Sequence, residues 1–206
     1  YAIFGNYDRG EKARREFKTL ELLHKNGLPV PPPLYLDDTG AVLSIPGIVT
    51  GYVAGEHNAA PRDPLSWARS LAMMLAQIHR VPCGTATENF LLDANAEASW
   101  FLRSGAMPDY MKTHPDGVAV WRAAYELWED MQPVPGGLVH IDYWSGNVLW
   151  KGSRIVAVVD WEEAAYGDVG IDVAYCRMDM FLLGMQEAAD EFLRFYEAEV
   201  GQQVAN

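Results

Sequence analysis

Apolar residues recur every three to four positions along several stretches of the chain, which is the spacing of helices with one buried face. Five helices are predicted: Glu11–Lys25, a helix from Pro64 to just before Pro82, Val118–Met131, Ile171–Leu183 and Glu187–Val200. Asn26-Gly27 is a typical stop signal for the first of them. Asp63 fits the N-cap of the second, with proline at the first helical position.

Short runs of strand-forming residues lie between these helices. The predicted strands are Tyr1–Tyr7, Leu34–Leu36, Val42–Ser44, Gly47–Gly55, Leu138–Val139, Asn147–Trp150 and Ile155–Val159. The last two should form a β-hairpin, because a turn-forming Lys-Gly-Ser-Arg run joins them. We place a lobe boundary after Gly55, which divides the chain into 1–55 and 56–206.

Composition narrows the class of protein. Half of the 206 residues are hydrophobic, which favours a globular protein over a disordered one. The net charge of −12 argues against a nucleic-acid-binding surface and against docking on an anionic membrane. No apolar run has membrane-spanning length and no signal segment opens the chain, so we expect a cytoplasmic protein. Cys83 and Cys176 are isolated, as free thiols would be.

The most informative segment lies near the middle of the chain, where His140, Asp142 and Asn147 follow the pattern H-x-D-x-x-x-x-N. A second acid, Asp160, ends the second strand of the predicted hairpin. Phosphoryl transfer needs an oriented nucleophile, neutralised phosphate charge and bridging metal ions. Asp142 could act on a substrate hydroxyl as a base, and Asn147 and Asp160 offer the oxygen ligands that Mg²⁺ prefers. His140 is expected to support the loop through hydrogen bonds.

Two other interpretations of these residues are open at this point. Asp142 and Asn147 could be turn residues and Asp160 a strand-end cap, without any chemistry. Alternatively, His140, Asp142 and Asp160 could be the ligands of a metal-dependent hydrolase, because His-x-Asp is a common ligand pair. The other histidines lie in unrelated contexts, which counts against the hydrolase.

These segments resemble a known family. Val139–Trp150, Val158–Glu162 and Gly167–Ala174 are similar to the H-G-D-x-x-x-x-N, I-D-W/F and G-D-P-x-x-D-L-A patterns of the aminoglycoside phosphotransferases, with Ile141 replacing a glycine and Val169 a proline. The resemblance implies an α+β fold of the two-lobed, protein-kinase-like kind. Residues 1–55 would be an incomplete N-terminal β-lobe that binds the nucleotide and includes the hinge. Residues 56–206 would be a mainly helical C-terminal catalytic lobe, incomplete at its end, that carries the catalytic hairpin.

The resemblance also implies roles for individual residues. Asp142 would be the catalytic base, Asn147 and Asp160 the Mg²⁺ ligands, and Asp172 a buried acid that, like His140, supports the loop. On its own, Asp172 could equally be an acid that favours a helix N-terminus. ATP or GTP would be the phosphoryl donor. The residues around the nucleotide would be Glu16 on the first helix, Gly51, Tyr52 and Val53 at the hinge, and Leu149 and Val159 beneath the base.

The chain departs from the family pattern at both ends. It begins at Tyr1, where the family has further strands, a phosphate-covering loop and a Lys or Arg, and it stops at Asn206, before additional helix. We therefore expect a chain that lacks both ends, with a β-edge that promotes self-association. Glu16 would then be a helix-surface acid. Four bases beside it are expected to be solvated: Arg9, Lys12, Arg14 and Arg15.

The leading hypothesis is a Mg²⁺-dependent enzyme that moves the γ-phosphoryl group of ATP or GTP to a hydroxyl of a small molecule, aminoglycoside-like or another alcohol. Glu162 and Glu163 could favour a cationic acceptor, or they could be a solvated surface pair. The alternative is a truncated or degenerate kinase-like module without catalytic activity, which binds a nucleotide weakly or binds a protein partner.

Overall fold

The computed structural model describes residues 8–84, 87, 89–130 and 136–204. Along these residues the chain forms α1 (Arg9–Lys25), β1 (Pro33–Asp37), β2 (Gly47–Thr50), α2 (Pro64–His79), β3 (Leu92–Asp93), α3 (Ala94–Arg103), α4 (Asp109–Thr113), α5 (Gly117–Asp130), β4 (Gly136–Val139), β5 (Val148–Lys151), β6 (Arg154–Val158), β7 (Ala165–Asp168), α6 (Gly170–Leu182) and α7 (Gln186–Val200). The strand predicted at Tyr1–Tyr7 lies outside the described residues. No helix in the described ranges is long and apolar enough to cross a membrane.

Helix α2 lies at the centre of the core. The Asp63 carboxylate accepts the N–H of Ser66 and so caps the helix at the predicted position. Its apolar face is fully buried at Leu71 and Leu75, and α7 packs along it. Burial of each such leucine contributes about 1.5–3 kcal/mol to stability. The main core is therefore built around this pair of helices, with residues of α1, α6 and the strands packed against it.

The strands form three small sheets. Strands β1 and β2 pair antiparallel, as do β5 and β6, and β7 lies between β4 (antiparallel) and β3 (parallel). The β5–β6 hairpin confirms the prediction to within one residue. It places the end of β6 beside the start of β5, because Val148 pairs with Val158.

The strand predicted at Val42–Ser44 is wrong, because the Asp37 carboxylate accepts backbone N–H groups that a strand would use for pairing. The Asp37 carboxylate accepts the N–H groups of Leu43 and Val42, both at 2.7 Å, and of Ala41 at 3.0 Å. The bond from Leu43 is the main reason that the pKa of Asp37 falls to about 2. The segment is therefore a turn, and β1 pairs directly with β2.

The predicted helices are all present, with ends that differ by at most three residues in the described chain. Helices α3 and α4 were missed by the sequence prediction. Helix α3 starts at an acid cap, because Asp93 accepts the N–H of Ala96. Its Asn95 side chain then accepts the N–H of Asp168, which attaches α3 to the end of β7.

The segment after β2 crosses to the β5–β6 hairpin. Glu56 and Trp150 form an isolated antiparallel bridge, with N–O distances of 2.8 and 2.9 Å. A Cβ atom on Gly55 would lie 2.7 Å from Val156 and 2.9 Å from Leu149. Glycine therefore permits the close approach that joins the N-terminal segment to the hairpin. The lobe boundary itself stays a prediction.

Candidate active site

The H-x-D-x-x-x-x-N residues occupy the loop between β4 and β5. Asn147 ends a 3-10 turn that starts at Ser145. Its side-chain Nδ2 donates to Asp142 Oδ2 at 2.8 Å and to the Asp142 main-chain oxygen at 2.9 Å. Because Nδ2 is used in this way, the amide oxygen Oδ1 is the Asn147 atom suited to a cation.

Asp160 lies two residues after the end of β6, at the same end of the hairpin as Asn147. The N–H of Val159 donates to the main-chain oxygen of Asn147 at 2.9 Å, which ties the end of β6 to the loop. Burial raises the pKa of Asp160, and the negative charges of Glu162 and Asp142 raise it further. Crowded carboxylates beside an amide oxygen form a donor set that fits Mg²⁺, which takes one or two carboxylates and completes its shell with phosphate and water.

Asp172, on α6, supports the start of the loop. Its fully buried carboxylate accepts the N–H of His140 at 2.7 Å and of Ile141 at 2.8 Å. It also lies 3.1 Å from His79 Nε2, and His79 Nδ1 lies 2.6 Å from the Tyr196 hydroxyl. One carboxylate thus connects the loop to α2 and, through His79, to α7.

His140 is buried, and both of its ring nitrogens have partners. Nδ1 accepts the N–H of Asp142 at 3.3 Å, so Nε2 carries the proton that is donated to the Val159 oxygen at 2.9 Å. The ring also packs against Trp161, with 4.3 Å between the centroids. A histidine bonded on both nitrogens is a poor metal ligand, which counts against the hydrolase interpretation. Within the described ranges, no group of three or more His, Cys, Asp or Glu residues is arranged to hold a metal.

The loop contains a strained residue. Ile141 has a φ of 72°, in the left-handed region that β-branched residues rarely adopt. This conformation costs roughly 1–2 kcal/mol for a residue with a Cβ. It is held by the bond from the Ile141 N–H to Asp172, at the position where the resemblance led us to expect glycine.

Known proteins share this arrangement of loop, hairpin and helix. The profile of the phosphotransferase enzyme family matches residues 6–205, which is nearly the whole chain. The chain belongs to this family.

Individual relatives of this phosphotransferase-family chain are kinases of small molecules. Homoserine kinase from Pseudomonas aeruginosa is 24% identical over 163 residues, which cover 75% of this chain and 49% of that enzyme. Hygromycin-B 4-O-kinase from Escherichia coli is 48% identical over 48 residues, which cover 23% of this chain and 14% of that enzyme. The chain thus spans half or less of the length of these curated relatives.

A solved structure shows the same fold. The AMP-bound spectinomycin phosphotransferase superposes with a TM-score of 0.68 at 16% identity, over 98% of this chain and 69% of the other. This confirms the expected α+β, kinase-like fold.

The residues expected around the nucleotide are only partly brought together. Leu149 is beside Gly55 on the crossing segment, as described above. The N–H of Gly51 donates to the main-chain oxygen of Pro32 at 2.8 Å. The Tyr52 side chain is 92% exposed, so its backbone is the part that could face a base. The roles of these residues, and of Val53 and Val159, stay predictions.

The expectation that the bases of α1 are solvated is wrong for two of them. Arg15 is buried, and its Nε donates to the Glu162 main-chain oxygen at 2.7 Å. Lys12 Nζ lies 3.0 Å from the Glu162 carboxylate and 3.8 Å from that of Glu163. Lys12 and Arg15 therefore join α1 to the segment that follows Asp160. Sequence reasoning missed these contacts because the partners lie about 150 residues apart.

Glu16 is not the simple surface acid that we expected. Burial raises its pKa from 4.5 to about 7, and the charges of Asp160 and Glu162 contribute further. Glu16 therefore belongs to the same acidic cluster as the predicted metal ligand Asp160.

This raised pKa predicts a pH-dependent stability. A carboxyl whose pKa is higher in the folded protein favours folding below pH 4.5 and loses that contribution as the pH rises to about 7. Glu16→Gln is therefore expected to be more stable than the natural chain at pH 8, by roughly 1–2 kcal/mol after screening, and equally stable near pH 4.5. Urea unfolding at both pH values measures the difference.

The matched control is Glu21→Gln on the same helix, where the acid forms an exposed pair with Lys18. This variant should show almost no pH-dependent change. A Glu16→Gln variant that is no more stable than the natural chain at pH 8 would contradict the expectation.

Three further residues near the loop were missed by the sequence analysis. They are His79, Tyr175 and Asp179. The first lies on α2 in a stretch dominated by apolar residues, and no motif marks it. The other two lie on α6 beyond the family pattern, and only their helical spacing from Asp172 could have indicated them.

A well-defined cleft in the described part of the chain lies elsewhere. It has a volume of about 640 Å³ and is bounded by the segment 56–63, the first half of α2 and the turn of the β5–β6 hairpin. Asp142, Asn147 and Asp160 do not line it. The candidate site is therefore separate from this cleft.

Proposed function

We propose that this chain is the catalytic part of a Mg²⁺-dependent phosphotransferase, which moves the γ-phosphoryl group of ATP or GTP to a hydroxyl of a small molecule. The observation that carries the proposal is the 2.8 Å hydrogen bond from Asn147 to Asp142, beside the carboxylate of Asp160. It joins a candidate base and the candidate metal ligands in one site. Family membership supports a nucleotide as the donor.

Asp142 is suited to orient the acceptor. Asn147 holds its Oδ2, so Oδ1 is the oxygen that would accept a hydrogen bond from the substrate hydroxyl. The hydroxyl oxygen would form the new bond to the γ-phosphorus while the bond from phosphorus to the bridging oxygen breaks, and its proton would pass to Asp142. Asn147 Oδ1 and Asp160 would hold Mg²⁺, which neutralises phosphate charge when bound.

The acceptor is a small molecule with a hydroxyl group, and the relatives name two candidates, hygromycin B and homoserine. The acids after Asp160 do not by themselves require a cationic acceptor. Glu162 and Glu163 are both paired with Lys12, which offsets part of their charge. We therefore place both named compounds in the first acceptor screen.

The alternative is a module that binds nucleotide without turnover. In the described part of the chain, no Lys or Arg forms an ion pair with Glu16, and Lys12 is engaged by two glutamates. The cation that the resemblance leads us to expect beside Glu16 is therefore not seen as an ion pair in this part of the chain. The lack of such a pair favours the alternative, in which these residues alone position the phosphates weakly.

Calorimetric titration of Mg-ATP and Mg-GTP into the chain tests the proposal. The natural chain is expected to bind at least one nucleotide, with an affinity that falls when Mg²⁺ is chelated. Asp160→Ala should bind the Mg-nucleotide about 10- to 100-fold more weakly. Asp190→Ala, which breaks only a surface pair with Arg177 on another helix, is the control.

The outcomes separate the two functions. Mg²⁺-dependent binding that Asp160→Ala weakens and Asp190→Ala does not supports the phosphotransferase, and phosphorylation of an acceptor completes the case. Binding that is indifferent to Mg²⁺ and to Asp160→Ala indicates the non-catalytic module. A folded natural chain that binds neither nucleotide contradicts the proposal for these 206 residues.

A further inference from the structure

Three polar residues of α6 face the catalytic loop from one side of the helix. Asp172, Tyr175 and Asp179 are spaced three and four residues apart, which places them on one face over two turns. Their partners follow the order of the loop. Asp172 accepts backbone N–H groups at 140–141, Tyr175 lies close to the side chain of Asp142, and Asp179 accepts the backbone N–H of Ser145.

The contact of Asp179 lies beyond the family pattern, which ends at Ala174. The Ser145 N–H donates to Asp179 Oδ2 at 3.1 Å. Ser145 is buried, so loss of the acceptor would leave its N–H without a partner in a place that water reaches poorly. A carboxylate that accepts a backbone N–H also makes a stronger bond than a neutral acceptor does.

Ser145 starts the turn that presents Asn147. Within that turn the Asn147 N–H donates to the Trp144 oxygen at 3.0 Å, and its side chain holds Asp142. Displacement of the turn at Ser145 would therefore change the position of the Asn147 amide oxygen. It would also loosen the hydrogen bond that orients Asp142.

Tyr175 adds a contact between the two aspartates. Burial, followed by the nearby Asp142 carboxylate, raises the pKa of Tyr175 to about 12. The tyrosine is thus a neutral hydroxyl beside the Asp142 carboxylate. Together the three side chains hold the start, middle and end of the loop.

We propose that Asp179 is a second positioning residue of the catalytic loop, which fixes the turn carrying Asn147 while Asp172 fixes the start of the loop. The expected change in Mg²⁺ and nucleotide affinity rests on the proposed function. The expected change in the position of the loop does not. Supporting groups of this kind typically change metal affinity 10- to 100-fold.

Two variants and one control test this role. Asp179→Ala removes the acceptor, while Asp179→Asn keeps an oxygen that can accept the Ser145 N–H. Asp190→Ala, which breaks a surface pair between α7 and Arg177 of α6, serves as the control. The rate of amide hydrogen exchange over 144–148 measures the stability of the turn directly. Calorimetric titration with Mg-ATP measures the effect on nucleotide affinity.

We expect Asp179→Ala to exchange faster over 144–148 and to bind Mg-ATP about 10- to 100-fold more weakly, with little change in the Mg²⁺-free nucleotide affinity. Asp179→Asn should retain most of the protection and of the affinity. Asp190→Ala should match the natural chain in both measurements.

Other results would overturn the inference. One is an Asp179→Ala variant with unchanged exchange over 144–148. Another is a variant that loses global stability but binds Mg-ATP as the natural chain does, because that describes a structural role only. If the natural chain binds no Mg-nucleotide, the proposed function fails, and hydrogen exchange still decides whether Asp179 positions the turn. If Asp179→Ala does not fold, Asp179→Asn decides. Hydrogen exchange and Mg-ATP affinity equal to those of the natural chain would support the acceptor role. Loss of both the protection and the affinity would contradict it.

Discussion

Replacement of Asp142 by asparagine is expected to lower kcat for phosphoryl transfer by about 10²- to 10⁴-fold, which is the range that general-base catalysis contributes. The variant keeps a side-chain oxygen that can accept the Asn147 amide, so the shape of the loop should persist. It loses the carboxylate that would take the proton of the acceptor hydroxyl. The measurement is steady-state transfer to an acceptor found in the screen, with Mg-ATP affinity determined in parallel.

The informative comparison is between kcat and the affinity for Mg-ATP. Mg-ATP affinity should change little, because the proposed metal ligands are Asn147 and Asp160. Asp38→Asn, which breaks an exposed ion pair with Arg14, is the matched control and should leave kcat unchanged. An Asp142→Asn variant that turns over at the natural rate would show that another group accepts the proton.

Asp172→Ala is expected to destabilise the protein by about 3–5 kcal/mol, the usual cost of removing one partner from a buried charged network. Three donors would lose their acceptor at once: the backbone N–H groups of His140 and Ile141 and the ring of His79. Each buried unpaired donor costs about 1–3 kcal/mol. Urea unfolding at pH 7 measures the loss.

Asp172→Asn separates the charge of this residue from its role as an acceptor. The amide oxygen can replace one of the lost bonds, so its cost should lie between those of the natural chain and Asp172→Ala. A loss below about 1 kcal/mol in the alanine variant, typical of exposed positions, would mean that the loop does not depend on this carboxylate.

Much of the architecture could be predicted because the sequence is locally consistent with it. Apolar spacing located α1, α2 and α7, and a turn between two strand-like runs located the β5–β6 hairpin. Tertiary bonds explain where local prediction failed. Val42–Ser44 has strand composition, but the Asp37 carboxylate takes the N–H groups that a strand would use.

The candidate site divides in a similar way. The spacing of Asp142 and Asn147 places both on one short loop, and the hairpin brings Asp160 to them, so these residues follow from sequence. The groups that hold the loop do not. His79 and Asp179 lie on helices far along the chain, and the burial of Arg15 depends on where α1 packs.

The left-handed backbone of Ile141 has a consequence for protein engineering. Its geometry is imposed by a helix about 30 residues further along the chain, against the preference of the residue itself. A graft of residues 138–150 onto another scaffold would therefore transfer the motif without its shape. The loop would have to be transferred together with α6, the helix that carries Asp172. The smallest transplantable unit of this site is therefore discontinuous in sequence.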